Sequence, residues 1–249
     1  MAISLQGTPT SAQGDGSTAT VNVPTVSGGI QDGDLLLVLF ACCESEDNTS
    51  NVPSGMDGEW IAEYQVGQSP PSVPGMQLWY EWCSGGESGT RSTALSFTSG
   101  WMMIAWVLRG VDPTTPLDVS ITQVQSTSTG LPNPPPITPT SDDCMIAALG
   151  LKDETGADNL TSDPTNYTGL GYENNNQSTG GTLMAAYRLL SGGSGSPEDP
   201  SAWVTTGGND EWCACTVAFR PAPTSQTYDR DASDSIAVTD SVLAQKKEL

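Results

Sequence analysis

The chain has no histidine, and that one absence closes several routes to chemistry. Ser/His/Asp and Cys/His nucleophile arrangements need an imidazole as their base, and zinc sites draw on histidine or on Cys-x-x-Cys pairs, which are missing too. Basic residues are scarce. Lys and Arg number 8 against 29 Asp and Glu, a net charge of -21, which leaves too few cations to neutralise a nucleic-acid backbone or to hold an anionic membrane surface. The Gly-rich stretches lack the lysine of a phosphate loop. No apolar run is long: the longest, Leu35 to Cys43, is under half of what a bilayer-spanning helix needs. The first residues show no basic segment ahead of an apolar core, so synthesis in a cytoplasm without a secretory signal is expected.

What is abundant points to strands. The 27 glycines, 18 prolines and many Ser and Thr come without sustained helical periodicity. The chain therefore reads as all-β, and its 249 residues suffice for a two-sheet β-sandwich with a sizeable core. Leu35 to Cys42 and Trp101 to Leu108 are apolar on both alternating faces, so each is expected to be a central strand buried on both sides, and the two to be sheet neighbours. Cys144 to Leu151 is a third such run. Met76 to Cys83 alternates, with Leu78, Tyr80 and Trp82 on the face expected to be core, and Gln77, Trp79, Glu81 and Cys83 on the other. Further strands are expected in two parts of residues 1–23, about a Gly14-Asp15-Gly16 turn, and over Glu59–Tyr64, Arg91–Phe97, Val119–Gln125, Tyr167–Tyr172, Thr182–Leu190 and Glu211–Phe219. Leu131 to Pro139 reads as a stiff polyproline-like connector.

The segment after the second central run is a corner. Arg109-Gly110 ends the strand, and Asp112-Pro113-Thr114-Thr115-Pro116 turns the chain, because proline fixes φ and cannot donate to a ladder. Arg109 is expected to hold this corner by pairing with Asp112 or Asp118. Residues 1–221 form the sandwich domain. Residues 222–249 read as a C-terminal arm or tail, whose few apolar side chains, Ile236, Val238, Val242 and Leu243, cannot offset their own ordering entropy alone. Lys246 and Lys247 make its end locally basic against an acidic body, which suggests attraction to another subunit. The 6 cysteines, with Cys42 and Cys43 adjacent and Cys213 and Cys215 alternating, suit buried free thiols better than a staple framework.

In order, GDLLLVLF after a Gly-rich turn, GEWIAEYQ, MQLWYEWC, VLRGVDPTTPLDV, an Ala-rich strand and a closing TVAFRPA resemble a β-sandwich, jelly-roll-like domain recurring among structural proteins of tailed bacteriophages and prophages. The resemblance covers residues 3–222 and is most specific in RGVDPTTPLD and FRPA. It implies a non-enzymatic virion protein without a cofactor, made in the host cytoplasm and displayed on the particle surface as a fibre, spike or capsid decoration. Its partners would be other virion subunits and copies of itself; the alternative reading, argued from the aromatics and not from the resemblance, is a carbohydrate-binding module for a host-surface glycan. The closing SDSIAVTDSV is similar to short repeats of phage and bacterial surface proteins.

Other constellations are weaker. Glu59, Glu63 and Glu81 lie among Trp60, Tyr64, Trp79 and Trp82, as a glycoside hydrolase would need, but on alternating strands they read more simply as solvent-facing neighbours of core aromatics. Trp79, opposite the expected core face, is the candidate for stacking on a sugar unless its sheet is covered on both sides. Asp153, Glu154, Asp158 and Asn159, or Asp32 and Asp34, offer oxygens for calcium without the spacing of a calcium loop. Sequons at Asn48, Asn159, Asn166 and Asn176 carry no weight without a secretory route.

Overall fold

The structure, a computed structural model, describes residues 2–42, 52–65, 75–153, 159–175, 181–206 and 210–223. Among them there is no helix. The strands are β1 (Ser4–Asn22), β2 (Asp32–Cys42), β3 (Gly58–Gln65), β4 (Gly75–Ser84), β5 (Thr90–Arg109), β6 (Thr122–Gly130), β7 (Met145–Asp153), β8 (Leu160–Ser162), β9 (Thr168–Asn175), β10 (Gly181–Leu189), β11 (Val204–Thr205) and β12 (Asp210–Phe219). They form two five-stranded antiparallel sheets, β1-β5-β2-β4-β3 and β6-β12-β7-β10-β9, with a small pair, β11-β8. The expected two-sheet sandwich is what the chain forms, and each sheet comes from one half of the sequence.

The two doubly apolar runs are neighbours at the middle of the first sheet, paired from Leu35↔Leu108 to Cys42↔Trp101. Their inward residues, among them Leu37, Leu39, Ile104 and Trp106, meet Ala147, Leu149, Cys215 and Val217 of the second sheet in one shared core. Full burial of each such aliphatic side chain contributes about 1.5–3 kcal/mol. Their outward residues, Leu36, Val38, Phe40, Met103 and Val107, form a second core with Ala19, Val21 and Leu95. That cover exists because the two strands expected in residues 1–23 are one, and Arg91–Phe97 is continuous with the central run. β1 and β5 stay paired along their length and bend together where Gly16↔Ser99 gives way to Thr18↔Ala94, curling over the back of the sheet. The outside of the second sheet is covered by Trp203 and Leu160 at one place and by Ile137, from the proline-rich connector, at another. Ile137 is pinned to Glu198 by a pair of backbone hydrogen bonds.

The two sheets repeat one plan. Counted from the start of each half, and setting aside the short β8 and β11, both have the order first, fifth, second, fourth, third. Register matches as well. Leu35 stands between Leu108 and Trp82, as Met145 stands between Phe219 and Leu189, while Cys42 faces Trp101 as Lys152 faces Trp212. β3 bulges at Trp60, between Glu59↔Trp79 and Ile61↔Leu78, and β9 bulges at Leu170, between Gly169↔Ala186 and Gly171↔Ala185. Leu5↔Leu108 and Thr10↔Ala105 correspond to Leu117↔Phe219 and Thr122↔Thr216. Packing is conserved in volume where it is not conserved in residue. Phe40 stacks on Trp79 at 4.9 Å outside the first sheet. The matching Gly150 and Ala186 leave a space that Trp203 fills, its ring 2.8 Å from where a Cβ on Gly150 would lie.

The sandwich has two unlike flanks and two unlike ends. On one flank β9 packs on β1 and β5, where Gly171 abuts Ile104 and Asn175 donates to the carbonyl of Gly14 at 2.8 Å. On the other, Trp60, at the place matching Leu170, stacks on Tyr80 at 4.5 Å and reaches Phe219 at 5.8 Å. One end holds the corner, the first residues and the end of β12. At the opposite end β2, β3, β7 and β9 finish and β4, β10 and β12 begin.

Candidate functional site

The corner is bound by charge from both halves of the chain. Arg109 grips Asp34 with both arms of its guanidinium, Nε to Oδ1 and Nη2 to Oδ2 each at 2.7 Å, and Asp34 is only 1% exposed. The hydrogen bond to Asp34 raises the pKa of Arg109. This corrects the expected partner: neither Asp112 nor Asp118 is it, because Asp34 lies directly across from the strand end, at the start of neighbouring β2. Asp112 instead accepts from the amides of Thr114 and Thr115 and caps its own turn.

Asp118 is held by the second half. Its carboxylate accepts from Arg220 Nε at 3.0 Å, from the Thr140 hydroxyl at 3.1 Å and from the backbone amides of Thr140 and Ser141. Burial works to raise its pKa, but the hydrogen bonds from Ser141 and Thr140 and the Arg220 guanidinium outweigh burial and hold it at about 2. Backbone bonds complete the junction: Asp112 N to Arg220 O and Arg220 N to Pro116 O, both at 2.9 Å, and Ala222 N to Gly110 O at 2.7 Å. Val111 bridges Pro221, and Leu117 bridges Phe219. Gly110 has φ +86°, with the Ala2 carbonyl 2.6 Å from where a Cβ would stand, so no other residue fits there. Pro113 is exposed on the outside of the turn and Pro116 is half-buried beneath it. RGVDPTTPLD and FRPA, about a hundred residues apart, therefore fold against each other as one unit.

The other two described arginines bridge the connections that leave β4 and β10. Arg91 chelates Glu81 at 2.7 and 2.8 Å, and Arg188 meets Glu198 at 2.7 Å. Burial raises the pKa of Glu81 despite Arg91. Glu198 also accepts from the Tyr167 hydroxyl at 3.1 Å. Beside that pair lies a depression of about 340 Å³ lined by residues 188–193 and 196–198, with Leu189 47% exposed at its edge.

The sequence candidates distribute as follows. Trp79 is 0% exposed and stacked on Phe40, so the sugar-stacking reading of this residue is corrected: its sheet is covered on both sides. Trp60, Tyr80 and Trp82, two of them from the face expected to be the core, are half-buried, as are Tyr167, Tyr172 and Tyr187. Glu81 is committed to Arg91, Glu59 is exposed, and the side chain of Glu63 lies outside the described residues. Asp34 is spent on Arg109 and Asp32 is exposed. Glu154 and Asp158 lie outside the described residues, and among those described no group of acids, cysteines or histidines is placed to hold a metal. Asp153 is raised to about 6 by burial and by the charges of Asp210 and Glu211. Cys42, Cys83, Cys144, Cys213 and Cys215 are all buried, with Cys83 and Cys144 pushed up to about 12 chiefly by burial. Trp203 and Trp212 are buried as well. The arm residues Ile236, Val238, Val242, Leu243, Lys246 and Lys247 lie outside the described residues.

Compared with known proteins, the chain matches no family model, no curated protein and no solved structure.

Proposed function

We propose that the chain is a non-enzymatic accessory structural protein of a tailed-phage virion, displayed on the particle surface as a fibre, spike or decoration and attached through residues 222–249. The observation that carries this reading is the junction. The last described residues leave the sandwich beside a platform held by Arg109–Asp34 and Arg220–Asp118, while the ends of β2, β3, β7 and β9 and the starts of β4, β10 and β12 stand at the opposite end. Such a body is suited to being held by one end and presenting loops at the other. Immunogold labelling of purified particles tests the proposal. Labelled surface protein in the full chain, and loss of incorporation on truncation after Pro223 with unchanged thermal stability, are expected. Absence of the protein from particles would sink it.

A second reading, recognition of a host-surface polysaccharide, is favoured by one feature: Trp60, Tyr80 and Trp82 stand half-buried on one rim, where an aromatic ledge suits the apolar face of a sugar. A glycan array lost on Trp60→Ala supports it, and an array empty for the parent protein retires it.

A further inference from the structure

We infer that the chain is two copies of one unit of about 110 residues fused in tandem, and that the inner face of each sheet is a binding surface for a second unit of the same kind. This goes beyond the proposed function and does not depend on it. Identical strand order is a weak argument alone, since antiparallel sheets draw on few topologies. Matching register and matching bulges at Trp60 and Leu170 are much stronger, because a one-residue slip in either sheet would destroy the correspondence.

Three features bear on the relation between the copies. The connections that cross from β4 to β5 and from β10 onward open with Ser84-Gly85-Gly86 and Ser191-Gly192-Gly193, and all four glycines have positive φ (99°, 88°, 71° and 101°). Each connection is bridged by an ion pair between residues 10 apart, but with the charges exchanged: Glu81 with Arg91, and Arg188 with Glu198. The two strand exits run antiparallel to each other. Arg109 corresponds to Arg220, so Gly110 corresponds to Pro221 and Val111 to Ala222. Gly110 accepts from Ala222, while Val111 bridges Pro221. Each residue thus meets the other's counterpart, which is the mark of a twofold, self-complementary interface. The shared core obeys the same rule, drawing Leu35, Leu37 and Leu39 from one copy and the matching Met145, Ala147 and Leu149 from the other.

The test uses the full chain carrying a specific protease site between the exposed Thr114 and Thr115, cleaved after folding. The two pieces are expected to co-elute at the mass of the whole chain with their near-ultraviolet dichroism intact. Their melting temperature should become dependent on protein concentration, as for a two-body complex. Separation of the pieces in native buffer overturns the inference. A second arm tests equivalence without cutting the chain. Glu81→Arg and Arg91→Glu should each lower Tm by about 5 °C, and the double variant, which writes the second copy's charge order into the first, should recover most of that loss. A double variant no more stable than the single ones also overturns it.

Discussion

Trp101 faces Cys42 across β5 and β2, and Trp212 faces Lys152 across β12 and β7, at matching places in two sheets of the same strand order. Each stands eight residues before an arginine, Arg109 at the end of β5 and Arg220 just past the end of β12. The indole nitrogens of both are buried without a hydrogen-bond partner, so both copies carry the same desolvation cost, about 1–3 kcal/mol each. Shape, then, and not hydrogen bonding, is what holds these two positions.

Removing Arg109 should be costly because it leaves Asp34 buried without its counter-charge. Arg109→Leu is expected to destabilise the fold by about 3 kcal/mol in urea unfolding. A midpoint equal to that of the parent would show that Asp34 is satisfied without the pair.

Asp118 sets an acid limit. Its pKa of about 2 lies below the ordinary 3.8, so the folded state favours the ionised form. The resulting stabilisation is fully present above about pH 4 and is lost as pH falls through about 2. It should amount to about 1–2 kcal/mol after screening. In Asp118→Asn the slope of stability against pH between 4 and 2 should shrink, and an unchanged slope would place the acid sensitivity elsewhere.

Asp153 acts in the opposite sense. Its pKa is raised from 3.8 to about 6, so the unfolded chain ionises first and stability declines as pH rises from about 4 to about 6. Asp153→Asn should flatten this decline and raise Tm at pH 7 by a few degrees. Equal Tm for parent and variant at pH 4 and at pH 7 would contradict it.

Gly171 sits against Ile104 where the sheets join along β9. A Cβ at Gly171 would lie 2.7 Å from a methyl of the fully buried Ile104, so Gly171→Ala should cost about 1–3 kcal/mol. Ile104→Val in the same chain should return part of it. If the second substitution merely adds its own loss in denaturant unfolding, the two residues are not in conflict.

Trp79 and Trp60 should separate stability from recognition. Trp79→Ala opens a cavity beside Phe40 and should cost about 3–5 kcal/mol. Trp60→Ala, on the half-buried rim, should cost less in the same thermal melts. Equal losses would mean that the rim is as well packed as the core.

Much of this was legible in the residues. Doubly apolar runs declared β2, β5 and β7 as central, and the prolines declared the corner and the connector. The partner of Arg109 was not legible, because Asp34 is 75 residues upstream and only strand pairing brings it near. Nor was Trp79's burial, which depends on β1 and β5 bending back over their own sheet. The duplication escaped for a related reason: Phe40 and Gly150, or Trp79 and Ala186, occupy equivalent places with different volumes, and a loop tryptophan makes up the difference. Its traces in sequence are few: Ser-Gly-Gly after Tyr80 and again after Tyr187, and tryptophan eight residues ahead of arginine at Trp101 and Trp212.

Each sheet is covered on its outer as well as its inner side, and this governs how the molecule can be touched. A partner meets no broad strand surface among the described residues, only turns, strand margins and the residues that roof the sheets. Recognition of this protein is therefore a matter of tips and seams, with narrow footprints whose specificity is free to drift from one hairpin to the next without disturbing the interior.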